Sequence, residues 1–159
     1  MRVVLPVAIS VALVTVLQAC APTTVVTTPT GFVALDEDDR RRGERFRAVS
    51  ADGAVVVVRS QDNETFGTLE FWQEAMVREL TELAGYELVE AVPVSPRAGP
   101  EGMLIRVRGT TGADESVNHY DVAVFVVEDE VVTVEMAAPE AIYDDRRPDF
   151  DMVLGSLEL

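Results

Sequence analysis

Lysine is missing from this chain, and cysteine and histidine occur once each. A single thiol has no internal partner, so a disulfide framework is excluded. One cysteine and one histidine also fall short of a zinc ligand set. The stretch "RAGPEG" at 97–102 holds two glycines in neither the P-loop nor the dinucleotide-binding pattern. Positive charge is scarce as well: 13 arginines stand against 28 acids, for a formal charge of -15 at pH 7. An acidic surface repels nucleic acid and anionic lipid, which excludes both as principal electrostatic partners. That every basic residue is arginine carries no functional reading of its own. Apolar residues make up 48% of the chain, ordinary for a folded protein, so the acidity is not the mark of disorder.

One apolar run is present, at the start. Residues 1–19 read as a signal peptide, with Arg2 as the positive end and residues 3–17 apolar apart from Ser10 and Thr15. The run is short for a transmembrane helix, which needs about 20 apolar residues. It ends in Leu17-Gln18-Ala19-Cys20, which resembles the lipobox of bacterial lipoproteins. Gln18 departs from the small residue usual at its position. The resemblance implies that the leader is removed, that Cys20 carries a diacylglyceryl group, and that its new amino terminus is acylated with a chain such as palmitate. Two or three chains on one residue hold durably where one holds marginally. Ala21, in place of Asp, implies the outer membrane facing the periplasm in a cell with two membranes, and the outer face of the plasma membrane in a cell with one. The competing reading is a secreted soluble protein with an incidental cysteine.

Residues 20–44 follow as the lipidated cysteine, a Thr/Pro-rich tether over 21–31 and a charged segment, "DEDDRRRGE". The folded domain is expected over 45–159, about one domain's length. Its "SADGAV" marks a hairpin of strands 46–50 and 55–59, because both residues of an Asp-Gly turn must tolerate positive φ. Leu69, Trp72, Met76, Leu80 and Leu83 recur at helical spacing, with Thr68 as N-cap and Gly85 as C-cap. Runs at 86–94, 103–109, 117–127 and 131–138 read as strands joined by short links, hence an antiparallel meander. Phe150, Val153, Leu154 and Leu157 place a short closing helix at 148–157. "YDVAVFVV" is apolar at nearly every position, which requires cover on both sheet faces. The fold class is α+β: an antiparallel sheet of about six strands with a long amphipathic helix and a short C-terminal one.

That element order, with Tyr120 to Val127, Val131 to Ala138, Pro139-Glu140-Ala141 and the run from Phe150 to Leu157, resembles the PsbP-like fold, which includes the DcrB family of bacterial lipoproteins. The resemblance implies a non-catalytic module that acts as a partner or stabiliser of larger assemblies.

Candidate chemistry is thin. His119 and Asp121 lie two apart on a strand and so share a face, as a general base and its orienter would, or half of a metal site. No nucleophile can be tied to them by spacing, and a surface or strand-end histidine is the plainer reading. Acidic clusters at 36–39, 128–130 and 144–145 lack the alternation and glycine of a calcium loop. Trp72 is in phase with the core side of its helix. No catalytic residue, cofactor or metal set is assigned. The irregular loop at 93–102 is the candidate binding face. The sequence thus describes a lipid-anchored cell-envelope protein with a small non-catalytic binding or assembly-support domain and a protein partner in the envelope. The alternatives are an envelope hydrolase using His119 and Asp121, and a purely structural envelope lipoprotein.

Overall fold

A computed structural model describes residues 24–111 and 116–159. The leader, the lipobox and Cys20 lie outside the described residues, as does most of the link at 110–116. Among the described residues there are seven strands and two α-helices: β1 (Phe32–Ala34), β2 (Glu44–Ser50), β3 (Val55–Asp62), α1 (Leu69–Arg78), β4 (Glu87–Val94), β5 (Gly102–Thr111), β6 (Ser116–Val127), β7 (Glu130–Pro139) and α2 (Glu140–Ser156). The strands form one antiparallel sheet in the order β1-β2-β3-β7-β6-β5-β4. The hairpin and the meander are therefore halves of a single sheet, joined where β3 pairs with β7, Val58 opposite Val134. No helix among the described residues is long and apolar enough to cross a membrane.

The sheet's two faces have separate cores. Alternate residues of β6 point to opposite sides, so Ala123 and Phe125 join Val56, Val58, Val134 and Met136 beneath α2, which contributes Phe150, Val153 and Leu154. Val122 faces the other way and packs with Ile105, Val107 and Leu80 under α1. The expected cover on both faces is present. Phe125, Phe150, Ile105 and Met136 are fully buried, each contributing about 1.5–3 kcal/mol of transfer free energy.

Four expectations need correction. The sheet has seven strands rather than about six, because β1 forms at the edge and puts Phe32 into the core. The fold also begins before Arg45: Val25 bridges Glu158, the Thr27 N–H donates to Ser156 Oγ at 3.0 Å, and Val26 packs on the core. Residues 24–31 are thus laid along the domain rather than projecting from it. The last helix is long, not short, starting at Glu140 and carrying Pro148 in its interior. At the hairpin, Gly53 alone takes positive φ, +97°. Asp52 instead accepts a hydrogen bond from the Ser50 hydroxyl and one from Arg146 Nε at 3.0 Å.

The first helix starts as expected, the Phe71 N–H donating to Thr68 Oγ1 at 3.3 Å. It ends in a π-helical turn, Glu79–Leu83, closed by the Ala84 N–H on the Glu79 carbonyl. The extra residue in that turn rotates Leu83 away from the sheet, leaving it 80% exposed. Gly85 follows at φ +76°, the left-handed conformation that stops a helix.

Candidate functional site

On the α2 face the apolar pattern breaks along one cross-strand row. Register places Glu90 of β4 opposite Arg106 of β5, and Arg106 opposite Asp121 of β6. Cross-strand neighbours of opposite charge attract, and here they lock. Arg106 Nε donates to Asp121 Oδ2 at 3.2 Å while Nη1 donates to Glu90. Tyr143 of α2 closes the row from above, its hydroxyl 3.0 and 2.9 Å from the two Asp121 oxygens. Burial raises the Asp121 pKa, against the opposing pull of the Tyr143 hydroxyl and the Arg106 charge. Burial, then the Asp121 carboxylate, raises that of Tyr143.

His119, the other half of the sequence-nominated pair, does not complete a base-and-orienter arrangement. Its ring lies flat on Tyr143, centroids 3.9 Å apart and planes 10° from parallel. Among the described residues it makes no hydrogen bond, and the Asp121 carboxylate is taken up by Tyr143 and Arg106. The stack floors a cleft of about 300 Å³ rimmed by Val89, Glu90, Arg108, Glu140, Asp144 and Arg147. Arg108 is paired with Glu87 at 3.0 Å. The cleft is polar, mixed in charge and open to solvent on the β4 edge, where Leu88 and Val89 are exposed.

The opposite face carries a larger groove, about 540 Å³, between α1 and the β3–β7 strands. Trp72, Met76, Leu80 and Tyr120 supply its apolar wall, and Arg42, Arg59 and Glu135 its polar one. Arg59 is committed to Glu135 at 2.8 Å and to Glu44 at 3.2 Å. Glu44 also holds Arg47 at 3.0 Å and accepts the Arg41 N–H at 3.0 Å. Burial works to raise the Glu44 pKa, yet the Arg41 N–H and the two guanidinium groups outweigh it and lower the value.

The other nominated features fare differently. The loop at 93–102 is not free: the Ala98 N–H donates to the Leu157 carbonyl at 3.2 Å and its carbonyl accepts the Leu159 N–H at 2.9 Å. It is a clamp on the C-terminus. No cluster of three metal-ligating side chains occurs among the described residues. Trp72 is half-buried, its Nε1–H donating to Asn63 Oδ1 at 3.1 Å and its ring edge-on to Phe71 at 5.4 Å. The row through Glu90, Arg106 and Tyr143 escaped sequence reading because it joins three separate elements; the signal present was Arg106 and Asp121, each a charged residue within an apolar strand.

No family model and no curated protein matches this chain. Solved structures do. The cyanobacterial PsbP of Synechocystis sp. PCC 6803 superposes with a TM-score of 0.64 at 17% identity, covering 86% of each chain. LpqN of Mycobacterium tuberculosis, described as involved in cell envelope biogenesis, gives 0.65 at 13% identity over 87% of this chain and 83% of its own. The Saccharomyces cerevisiae Ran-binding protein Mog1p gives 0.55 at 15% identity over 82% and 79%. At such identities the likeness is one of fold: the chain has the PsbP-like architecture.

Proposed function

We propose that this chain is a lipid-anchored envelope protein, held through Cys20, whose α+β domain is a non-catalytic binding or assembly-support module. The observation that carries the reading is the lock on Asp121. The acid that a hydrolase would use to orient His119 is buried and occupied by Tyr143 and Arg106, and a base without its orienter has no fixed tautomer or direction. The ionisable groups on that face hold the helix to the sheet and leave a rigid surface for recognition. LpqN, which shares the fold, is tied to cell envelope biogenesis, and the lipobox at Cys20 supports the same compartment for this chain.

The partner-facing surface in this reading is the cleft beside the β4 edge. Arg147 lines it with no hydrogen bond or ion pair among the described residues. The test is affinity recovery from gently solubilised envelopes, wild type against Cys20→Ser and Arg147→Glu, with mass spectrometry of the purified protein. The reading requires lipid on Cys20 and a stoichiometric protein recovered with the anchored wild type and lost with Arg147→Glu. A folded, lipidated protein that recovers nothing would overturn the binding role, and an unmodified Cys20 would overturn the anchor.

A further inference from the structure

The loop between β3 and α1 is built to hold one aromatic ring in solvent. Asn63 at its base is buried, and its backbone N–H donates to the Asp129 carbonyl at 2.6 Å. Its side chain spans the loop: Oδ1 accepts the Gly67 N–H at 2.9 Å and the Trp72 indole at 3.1 Å, and Nδ2 donates to the Gly67 carbonyl at 3.0 Å. The Phe66 N–H donates to the Asn63 carbonyl at 2.9 Å. These bonds force Phe66 to φ +49°, and its side chain is left 83% exposed. An aromatic residue in the left-handed region is strained, and a fully solvated one gains nothing from the fold in return. Backbone strain held by a rigid frame is a sign of function. Phe71, in the first turn of α1, is half-exposed as well.

The place of this loop says what covers the ring. Asp62, the last residue of β3, pairs with Glu130, the first of β7. The Glu130 carboxylate takes Arg45 Nη2 at 2.6 Å, and Arg45 Nη1 donates to Thr24 Oγ1 at 3.2 Å. Thr24 is where the described chain begins, four residues after Cys20. Four residues reach at most about 14 Å. A continuous path of contacts thus joins the exit of the tether to the Phe66 loop at one end of the sheet. We propose that Phe66 inserts into the headgroup and acyl boundary of the bilayer that anchors Cys20, setting the domain with its β3–α1 end against the lipid.

This rests on the anchored reading above. The contact is apolar, since the same end carries Asp62, Glu64, Glu128 and Asp129 and gains nothing from anionic lipid. One ring does not hold a free protein to a membrane. On a tethered one it acts at the millimolar-range effective concentration that a short linker supplies.

The experiment uses the mature lipidated protein, purified from envelopes and placed in phosphatidylcholine vesicles containing lipid brominated near the headgroup. Tryptophan occurs once, at Trp72, so Phe66→Trp with Trp72→Phe puts the only emission at the loop tip. Insertion requires a blue shift and about twofold or greater quenching by the brominated lipid, lost in Cys20→Ser. Native Trp72 is read in parallel, wild type against Phe66→Ser, in case the double variant fails to fold; the wild type should be the more quenched. Unshifted, unquenched emission from protein carrying lipid on Cys20 would overturn the proposal, as would equal quenching of wild type and Phe66→Ser. If mass spectrometry finds the Cys20 thiol free, coupling it to a maleimide lipid in the same vesicles supplies the tether. Quenching of that coupled protein supports insertion while the natural anchor falls, and its absence removes insertion.

Discussion

The Tyr143 hydroxyl sits between the two carboxylate oxygens of Asp121, 3.0 Å from one and 2.9 Å from the other. One helix is thereby fastened to the middle of the sheet by a bond to a buried charge. Tyr143→Phe keeps the ring on His119 and removes only that bond, so it costs about 2 kcal/mol of stability. Asp121→Ala strands Arg106 as well and costs about 3–5 kcal/mol. Urea unfolding of the two variants checks the order; equal losses would mean the ion pair with Arg106 adds nothing.

The parts of the fold legible in the sequence were those with local signals. Thr68 capped α1, and the runs around Val107, Val124 and Val134 became strands within a few residues of their expected limits. What escaped was decided at a distance. The helical spacing of Phe150, Val153, Leu154 and Leu157 shows only the last part of α2, which begins at Glu140, where β7 ends and Tyr143 can reach Asp121. β1 is three residues long, too short for alternation to show, and exists because β2 offers it an edge. Leu83 kept the right spacing and lost the core because the π-turn shifted its phase. At the site, the shared face of His119 and Asp121 was readable from strand parity, but their partners were not. Arg106 arrives by register and Tyr143 from α2, and neither is set by local sequence.

Asp121 and Glu44 titrate to opposite effect. Burial raises the folded pKa of Asp121, so the folded state holds that proton more tightly than the unfolded chain. Stability from this group is full below the unfolded carboxyl pKa and falls as pH rises through the folded value. Glu44 is lowered, its burial outweighed by the Arg41 N–H, Arg47 and Arg59. Its contribution is present above the unfolded value and is lost as pH falls through the folded one. Urea midpoints between about pH 3 and 7 should therefore show Glu44→Gln least stable against wild type at neutral pH, with the gap closing in acid. Asp121→Asn removes the Asp121 contribution, so its midpoint should gain on that of wild type as pH rises through the folded Asp121 value.

Two glycines separate crowding from helix propensity. A Cβ on Gly102 would meet Phe125 Cδ1 and the Val124 carbonyl oxygen, each at 2.5 Å. Phe125 is fully buried and the carbonyl belongs to β6, which is paired on both sides, so neither yields easily. Gly102→Ala costs about 3 kcal/mol. Gly155 lies in the last turn of α2 with nothing within 4 Å of its Cβ position. Gly155→Ala raises stability by up to about 1 kcal/mol. Thermal unfolding of the pair checks both signs, and a tolerated Gly102→Ala would mean that β6 shifts to admit the methyl.

Phe66 sets stability against membrane contact at a single residue. Its φ of +49° is a conformation glycine adopts without strain, and its side chain touches solvent over 83% of its surface. Phe66→Gly therefore removes backbone strain while giving up almost no packing, and raises stability by about 1 kcal/mol. The same change removes the ring proposed to enter the bilayer. The expected result is a protein harder to unfold in urea whose Trp72 emission is less quenched in brominated vesicles. A residue kept for the fold alone would behave otherwise, since replacing it would lower the unfolding midpoint. A lowered midpoint for Phe66→Gly would mean the ring packs against Phe71 and Trp72 in solution, and the strain would then serve the core and not the surface.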